Sequence, residues 1–204
     1  MNLLDFADYA GTFAFAVSGT LSASEKKLDL FGASFIGFIT AVGGGTMRDL
    51  LMGNTPVTWV KNVDYFLLIF SAIIFTFIFF KRVIKLKHTL FLFDTIGIGV
   101  FTIIGIDKAL IYDLSAPICM VMGLSSAVVG GVIRDTLCND VPLIFHKEIY
   151  ATACIVGGTI YLLLDFFNVN LYFSQIATIT SIIIIRLLAV KYNLSLPKVT
   201  FAQK

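Results

Sequence analysis

The sequence predicts an all-α membrane protein of seven transmembrane helices, arranged as two inverted three-helix repeats plus a seventh helix. Three observations predict it. The chain is 58% hydrophobic with a mean hydropathy of +0.93, above the apolar share of a soluble domain. Apolar runs long enough to span hydrocarbon recur along it. The segment Gly43-Gly44-Gly45-Thr46-Met47-Arg48-Asp49 returns as Gly130-Gly131-Val132-Ile133-Arg134-Asp135 at an offset of 86.

The register holds well beyond that motif. At the same offset Asp8 matches Asp94, Gly11 Gly97, Phe15 Phe101, Gly19 Gly105, Gly37 Gly123, Pro56 Pro142 and Lys61 Lys147. Apolar matches come cheaply in such a chain, whereas matches of Gly, Pro, Arg, Asp and Lys do not. A duplicated unit over residues 4–80 and 90–166 follows. The spans fall at about 5–22, 30–53, 63–80, 90–106, 116–138, 148–166 and 171–190. Each repeat supplies three, and the seventh lies outside the duplication. Three is odd, so the second repeat enters from the opposite side, and the repeats are inverted about an axis in the membrane plane. The whole chain, 1–204, forms one transmembrane domain.

Basic residues set the orientation. Lys26, Lys27, Lys81, Arg82, Lys85, Lys87, Lys147, Lys191, Lys198 and Lys204 collect on one side, against Lys61 and Lys108 on the other. The richer side is cytoplasmic, which puts the amino terminus outside and the carboxyl terminus inside. The basic run 81–88 either only sets this topology or also binds anionic headgroups. Asp5 and Asp8 near the start, with no basic stretch, argue against a cleaved signal peptide. Cys119, Cys138 and Cys154 have no C-x-x-C spacing and suggest neither disulfides nor a zinc site. A net charge of +2 argues against a nucleic-acid partner.

The paired motif carries the chemistry. The second span, of roughly 36 Å at the α-helical rise, places Gly43, Gly44 and Gly45 near mid-membrane. Each glycine weakens a helix by about 1 kcal/mol relative to alanine. Helices 2 and 5 are therefore expected to be broken, the fifth at Gly130 and Gly131. Broken helices in matched places of inverted halves point to an ion or solute path; glycines that serve packing alone are the plainer alternative. Arg48 and Asp49 are neighbours and point apart on a helix, as do Arg134 and Asp135. Each arginine is thus expected to seek freed carbonyls or a remote aspartate, because an unpaired intramembrane guanidinium is costly. It acts as clamp, pore-lining charge or both.

Asp8 and Asp94 begin the first and fourth spans. They serve either the helix dipole or an acidic pore mouth. Pro56 and Pro142 read as helix stops. Neither His88 nor His146 sits in a metal motif, and no nucleophile elbow or phosphate loop is present. No catalysis, cofactor or structural metal is expected. Ala7, Gly11, Ala14 and Ser18 form a small-residue stripe suited to tight contact within or between protomers.

Over nearly the whole chain, Gly43-Gly44-Gly45-x-x-Arg48-Asp49, Gly130-Gly131-x-x-Arg134-Asp135 and the three-plus-three-plus-one layout resemble the trimeric intracellular cation (TRIC) channel family in its short prokaryotic form. The resemblance implies a homotrimer in the cytoplasmic (inner) membrane, surrounded by lipid. It implies a pore in each protomer, permeant potassium and sodium, and helices kinked at the glycines. Val129 stands where the first motif has Gly43. Some bacterial relatives are linked to small amino-acid transport, so a carrier for a solute such as glycine is the alternative. A non-transporting scaffold would leave the paired charges without a role.

Overall fold

The computed structural model describes residues 3–83, 89–145 and 149–194. Eight α-helices lie in that range: α1 (Leu3–Glu25), α2 (Leu30–Leu51), α3 (Thr58–Lys61), α4 (Val63–Val83), α5 (Thr89–Ile111), α6 (Ala116–Leu137), α7 (Ala151–Phe166) and α8 (Leu171–Lys191). A 3-10 turn covers Leu143–Phe145. Seven of the helices fall where the apolar runs place spans; α3, a single turn in a polar loop, is new. By length and composition α2, α4, α5, α6 and α8 are able to cross a membrane, whereas α7 has only 16 residues. The basic run at 84–88, His146, Lys147 and the tail from 195 onwards lie outside the described residues.

α1 is rich in small and polar residues, and its place in the bundle explains why. Fourteen of its 23 residues are buried, among them Ala7, Gly11, Ala14 and Ser18. It packs on α2, α4 and α5, and α5 in turn packs on α6, α7 and α8. A helix surrounded by protein need not be as apolar as one facing lipid. At the centre Phe15 stacks on Phe101, with ring centroids 5.2 Å apart. Phe15 lies over Gly97, and Phe101 lies over Gly11, where an added Cβ would come within 3.1 Å of the ring. The large apolar side chains of α4 and α8, such as Phe66, Phe70, Phe173 and Ile184, face outward.

Helix ends use local chemistry more than proline. Asp29 caps α2 by accepting from Gly32 N at 2.7 Å. α2 leaves helical geometry at Gly53 (φ 69°), with Asn54 N donating to Asp49 O at 2.8 Å. α6 ends identically at Asn139 (φ 56°), with Asp140 N donating to Asp135 O at 2.8 Å. This is the left-handed C-terminal cap, which satisfies the last carbonyls. Pro56 and Pro142 come three residues after these caps.

The expected breaks in the second and fifth spans are absent. α2 is helical without interruption through Gly43, Gly44 and Gly45, and α6 through Gly130 and Gly131. The two helices cross there, backbone to backbone. A Cβ on Gly44 would collide with the Ser126 carbonyl oxygen, and one on Gly130 with that of Thr40. A Cβ on Gly43 would lie 3.3 Å from Gly130 Cα. Close packing and intact internal hydrogen bonds, both obligatory where water is scarce, outweigh the weak helix propensity of glycine.

Candidate functional site

The α2–α6 crossing has a charged cluster on either side. In the first, Arg48 Nε and Nη2 each lie 2.9 Å from Asp49 Oδ1. Arg48 Nη1 reaches Ser126 Oγ at 3.4 Å. The other oxygen of Asp49 accepts from Thr58 N at 2.8 Å and Thr58 Oγ1 at 2.6 Å, so α3 is docked onto the motif. Lys108 donates to Thr58 Oγ1 at 3.2 Å and lies 3.7 Å from Asp49. Tyr65 donates to Asp8 at 2.6 Å. A small, partly open pocket of about 20 Å³, room for about one water, lies here, lined by Asp8, Thr12, Gly45, Arg48, Asp49 and Tyr65. An open recess bearing Asp5, Tyr9, Lys61 and Asn62 shares Thr58 and Tyr65 with it.

The second cluster repeats part of this plan. Arg134 Nε lies 2.7 Å from Asp135 Oδ1. Asp135 Oδ2 accepts from Leu143 N at 2.9 Å, as Asp49 does from Thr58. Arg134 Nη1 donates to Ser18 Oγ at 2.5 Å and to Asp94 Oδ1 at 2.8 Å. Arg186, from α8, reaches Asp94 Oδ2 at 3.4 Å. Its guanidinium lies 4.7 Å from the Phe91 ring centroid and 4.4 Å from that of Tyr150. A recess of about 520 Å³ opens on this side, bearing Ser22, Glu25, Arg134, Asp135, Asn139 and Asp140. At its rim Lys26 donates to Asp140 at 2.6 Å, and that carboxylate raises the ammonium pKa above its usual value.

Two expectations need correction. Arg48 and Asp49 do pair with each other, as do Arg134 and Asp135. Adjacent Cβ atoms diverge on a helix, but the long arginine stem curls back and brings Nε to the neighbouring carboxylate. Asp94 is fully buried under two guanidiniums, so it does not line a mouth. Asp8 is 9% exposed and faces the small pocket beside Arg48. The glycines divide by position. Gly44 and Gly130 form the backbone crossing. Gly45 and Gly131 lie over the arginine of their own helix, where a Cβ would come within 3.6 and 3.7 Å of its Nη2.

Residues not foreseen are Ser126, Thr58, Tyr65, Tyr150 and Arg186, together with Ser18 and Lys108 as cluster members. Arg186 carried a signal, as the charge interior to an apolar helix, directly after four isoleucines. Among the described residues no three His, Cys, Asp or Glu side chains gather to hold a metal.

An apolar exterior around neutralised, buried charges defines a polytopic helical membrane protein. The family model described as "Glycine transporter" matches residues 5–81 and 91–165. The UPF0126 membrane protein of Vibrio cholerae is 40% identical over 98% of this chain and 84% of its own length. The UPF0126 inner membrane protein YadS of Escherichia coli is 37% identical over 98% and 97%. A solved TRIC trimeric intracellular cation channel orthologue from Rhodobacter sphaeroides superposes with a TM-score of 0.89 at 33% identity, over 95% of this chain and 100% of that one. A structure addressing conductance through TRIC cation channels gives 0.87 at 35% identity, with both chains covered in full (100%). The chain belongs to this TRIC-related membrane family.

Proposed function

We propose that the protein is a channel for monovalent cations, potassium and sodium, with one pore inside each protomer of a homotrimer. The observation that carries this is the pair of pockets that each bear a motif arginine–aspartate pair, set next to the glycine crossing, in a chain similar to solved cation channels. The path runs from Asp8 past Gly45, Arg48 and Asp49 to the crossing at Gly43, Gly44 and Gly130. It leaves past Gly131, Arg134 and Asp135. With α2 and α6 in backbone contact, this conformation is closed. The buried arginines do not forbid cations, because each cluster is neutral: Arg48 and Lys108 balance Asp8 and Asp49, and Arg134 and Arg186 balance Asp94 and Asp135.

The reading includes seven spans, with inverted repeats at 4–80 and 90–166 and a seventh helix at 171–190. Reciprocal contacts support the inversion. Phe15 on Gly97 answers Phe101 on Gly11, and Gly44 on Ser126 answers Gly130 on Thr40. A twofold axis generates pairs of this kind. The amino terminus is external, and the Asp8 cluster faces outward. The membrane is the inner one, as named for the Escherichia coli relative.

A carrier for a small amino acid such as glycine is the second reading, favoured by the description of the matching family model. Purified protein in planar bilayers separates the two. The channel gives discrete unitary currents in potassium salt. Silence there, with saturable counterflow of labelled glycine in liposomes, assigns the carrier.

A further inference from the structure

We propose that Arg186 is the counterion that sets the charge of the second constriction, so that α8 tunes cation passage on that side. This rests on the channel reading.

In each cluster a motif arginine, a motif aspartate and a helix-start aspartate recur at the offset of 86, but the second cation does not. The residue 86 positions before Arg186 is Val100, and the residue 86 after Lys108 is Leu194. The first cluster takes its second cation from α5, and the other takes it from α8, which lies outside both segments matched by the family model.

The two cations are also held differently. Lys108 is 30% exposed in its side chain and 3.7 Å from its carboxylate. Its ammonium sits on a flexible stem and keeps partial access to solvent. Arg186 is 1% exposed, bound to Asp94 and flanked by the Phe91 and Tyr150 rings. A guanidinium so desolvated and stacked stays in place. Its charge is therefore a permanent part of that constriction, and without it the cluster carries a net negative charge at Asp94.

Asp94 keeps other partners when Arg186 is removed. Asp94 Oδ1 keeps Arg134 at 2.8 Å and Tyr150 at 3.4 Å. Among the described residues Arg134 Nη2 has no partner. Asp94 is buried directly behind Arg134, which lines the recess, so its uncompensated charge acts through the field and makes that side more attractive to cations.

The test compares wild type with Arg186→Gln and Arg186→Lys in planar bilayers in potassium chloride. Arg186→Gln is expected to raise potassium current entering from the Glu25–Asp140 side about threefold over the opposite direction. It is also expected to shift the reversal potential in a salt gradient toward potassium. Arg186→Lys restores wild-type values. If Arg186→Gln does not fold, Asp94→Asn carries the test with the opposite sign. It is nearly isosteric and leaves an excess positive charge, so current from that side falls about threefold. A conducting wild type with rectification and selectivity unchanged in the folded variants overturns the assignment alone. So does a change in Arg186→Gln that lysine fails to reverse, because shape and not charge would then be the cause. A silent wild type overturns the channel reading and this assignment with it.

Discussion

Replacing Gly44 by alanine and, separately, Gly45 by alanine tests the division of the glycine motif. Both substitutions add the same methyl to the same helix. Both gain the same helix propensity, about 1 kcal/mol. They differ in what the methyl meets. At position 44 it collides with the Ser126 carbonyl oxygen, which is backbone and cannot rotate away. At position 45 the nearest atom is Arg48 Nη2 at 3.6 Å, an ordinary contact. Overpacking costs about 1–3 kcal/mol. Gly44→Ala should therefore be less stable than Gly45→Ala by about that amount, because propensity cancels in the comparison. Gly45→Ala should equal or exceed wild type. Thermal unfolding of detergent-purified protein, followed by loss of the folded peak in gel filtration, reads the difference. Gly130→Ala and Gly131→Ala repeat the experiment in the second motif. The gap is smaller there, because Tyr150 Oη lies 3.2 Å from the position-131 methyl and must yield slightly. Equal melting of Gly44→Ala and Gly45→Ala would refute the view that the crossing, and not helix propensity, accounts for these glycines.

The clusters fix the outcome of three further substitutions. Arg134→Ala leaves Asp94 with Arg186 alone and Asp135 without a cation, so it should cost about 3–5 kcal/mol and depress the yield of assembled protein. Arg48→Ala should cost only about 1–3 kcal/mol, because Asp49 retains Thr58 and Lys108; the reverse order in thermal melting would contradict the partner assignments. Thr58→Val keeps the backbone donor but removes the hydroxyl shared by Asp49 and Lys108. It should lower stability by about 1.5–3 kcal/mol and speed proteolysis between residues 52 and 62, with unchanged cleavage counting against docking of α3 by Asp49.

Helix positions were legible because each apolar run is long and bounded by polar turns. The second span, read as 30–53, ends at Leu51 because Gly53 takes a left-handed conformation; Asn139 does the same for α6. The same device ends α1 at Lys27 and α5 at Asp113, residues with no obvious capping signature. The place of the glycine motif was legible, but its conformation was not. Propensity is a property of one helix, and continuity here comes from a second helix pressed against it. Pairing of Arg48 with Asp49 was hidden for a related reason, since backbone direction says little about where five rotatable atoms later a guanidinium lands. Arg186 went unread because α8 has no counterpart at the offset of 86, and the repeat drew attention to what recurs.

The reciprocal crossing has an evolutionary consequence. In a dimer of identical chains, every substitution strikes both copies of a symmetric contact at once. Here Gly44 against Ser126 and Gly130 against Thr40 belong to one polypeptide. A mutation on one side of the crossing leaves the other untouched. The chain has used that freedom: position 43 is glycine where 129 is valine, and 53 is glycine where 139 is asparagine. The two faces can thus drift toward different tasks while the shared frame between them is preserved.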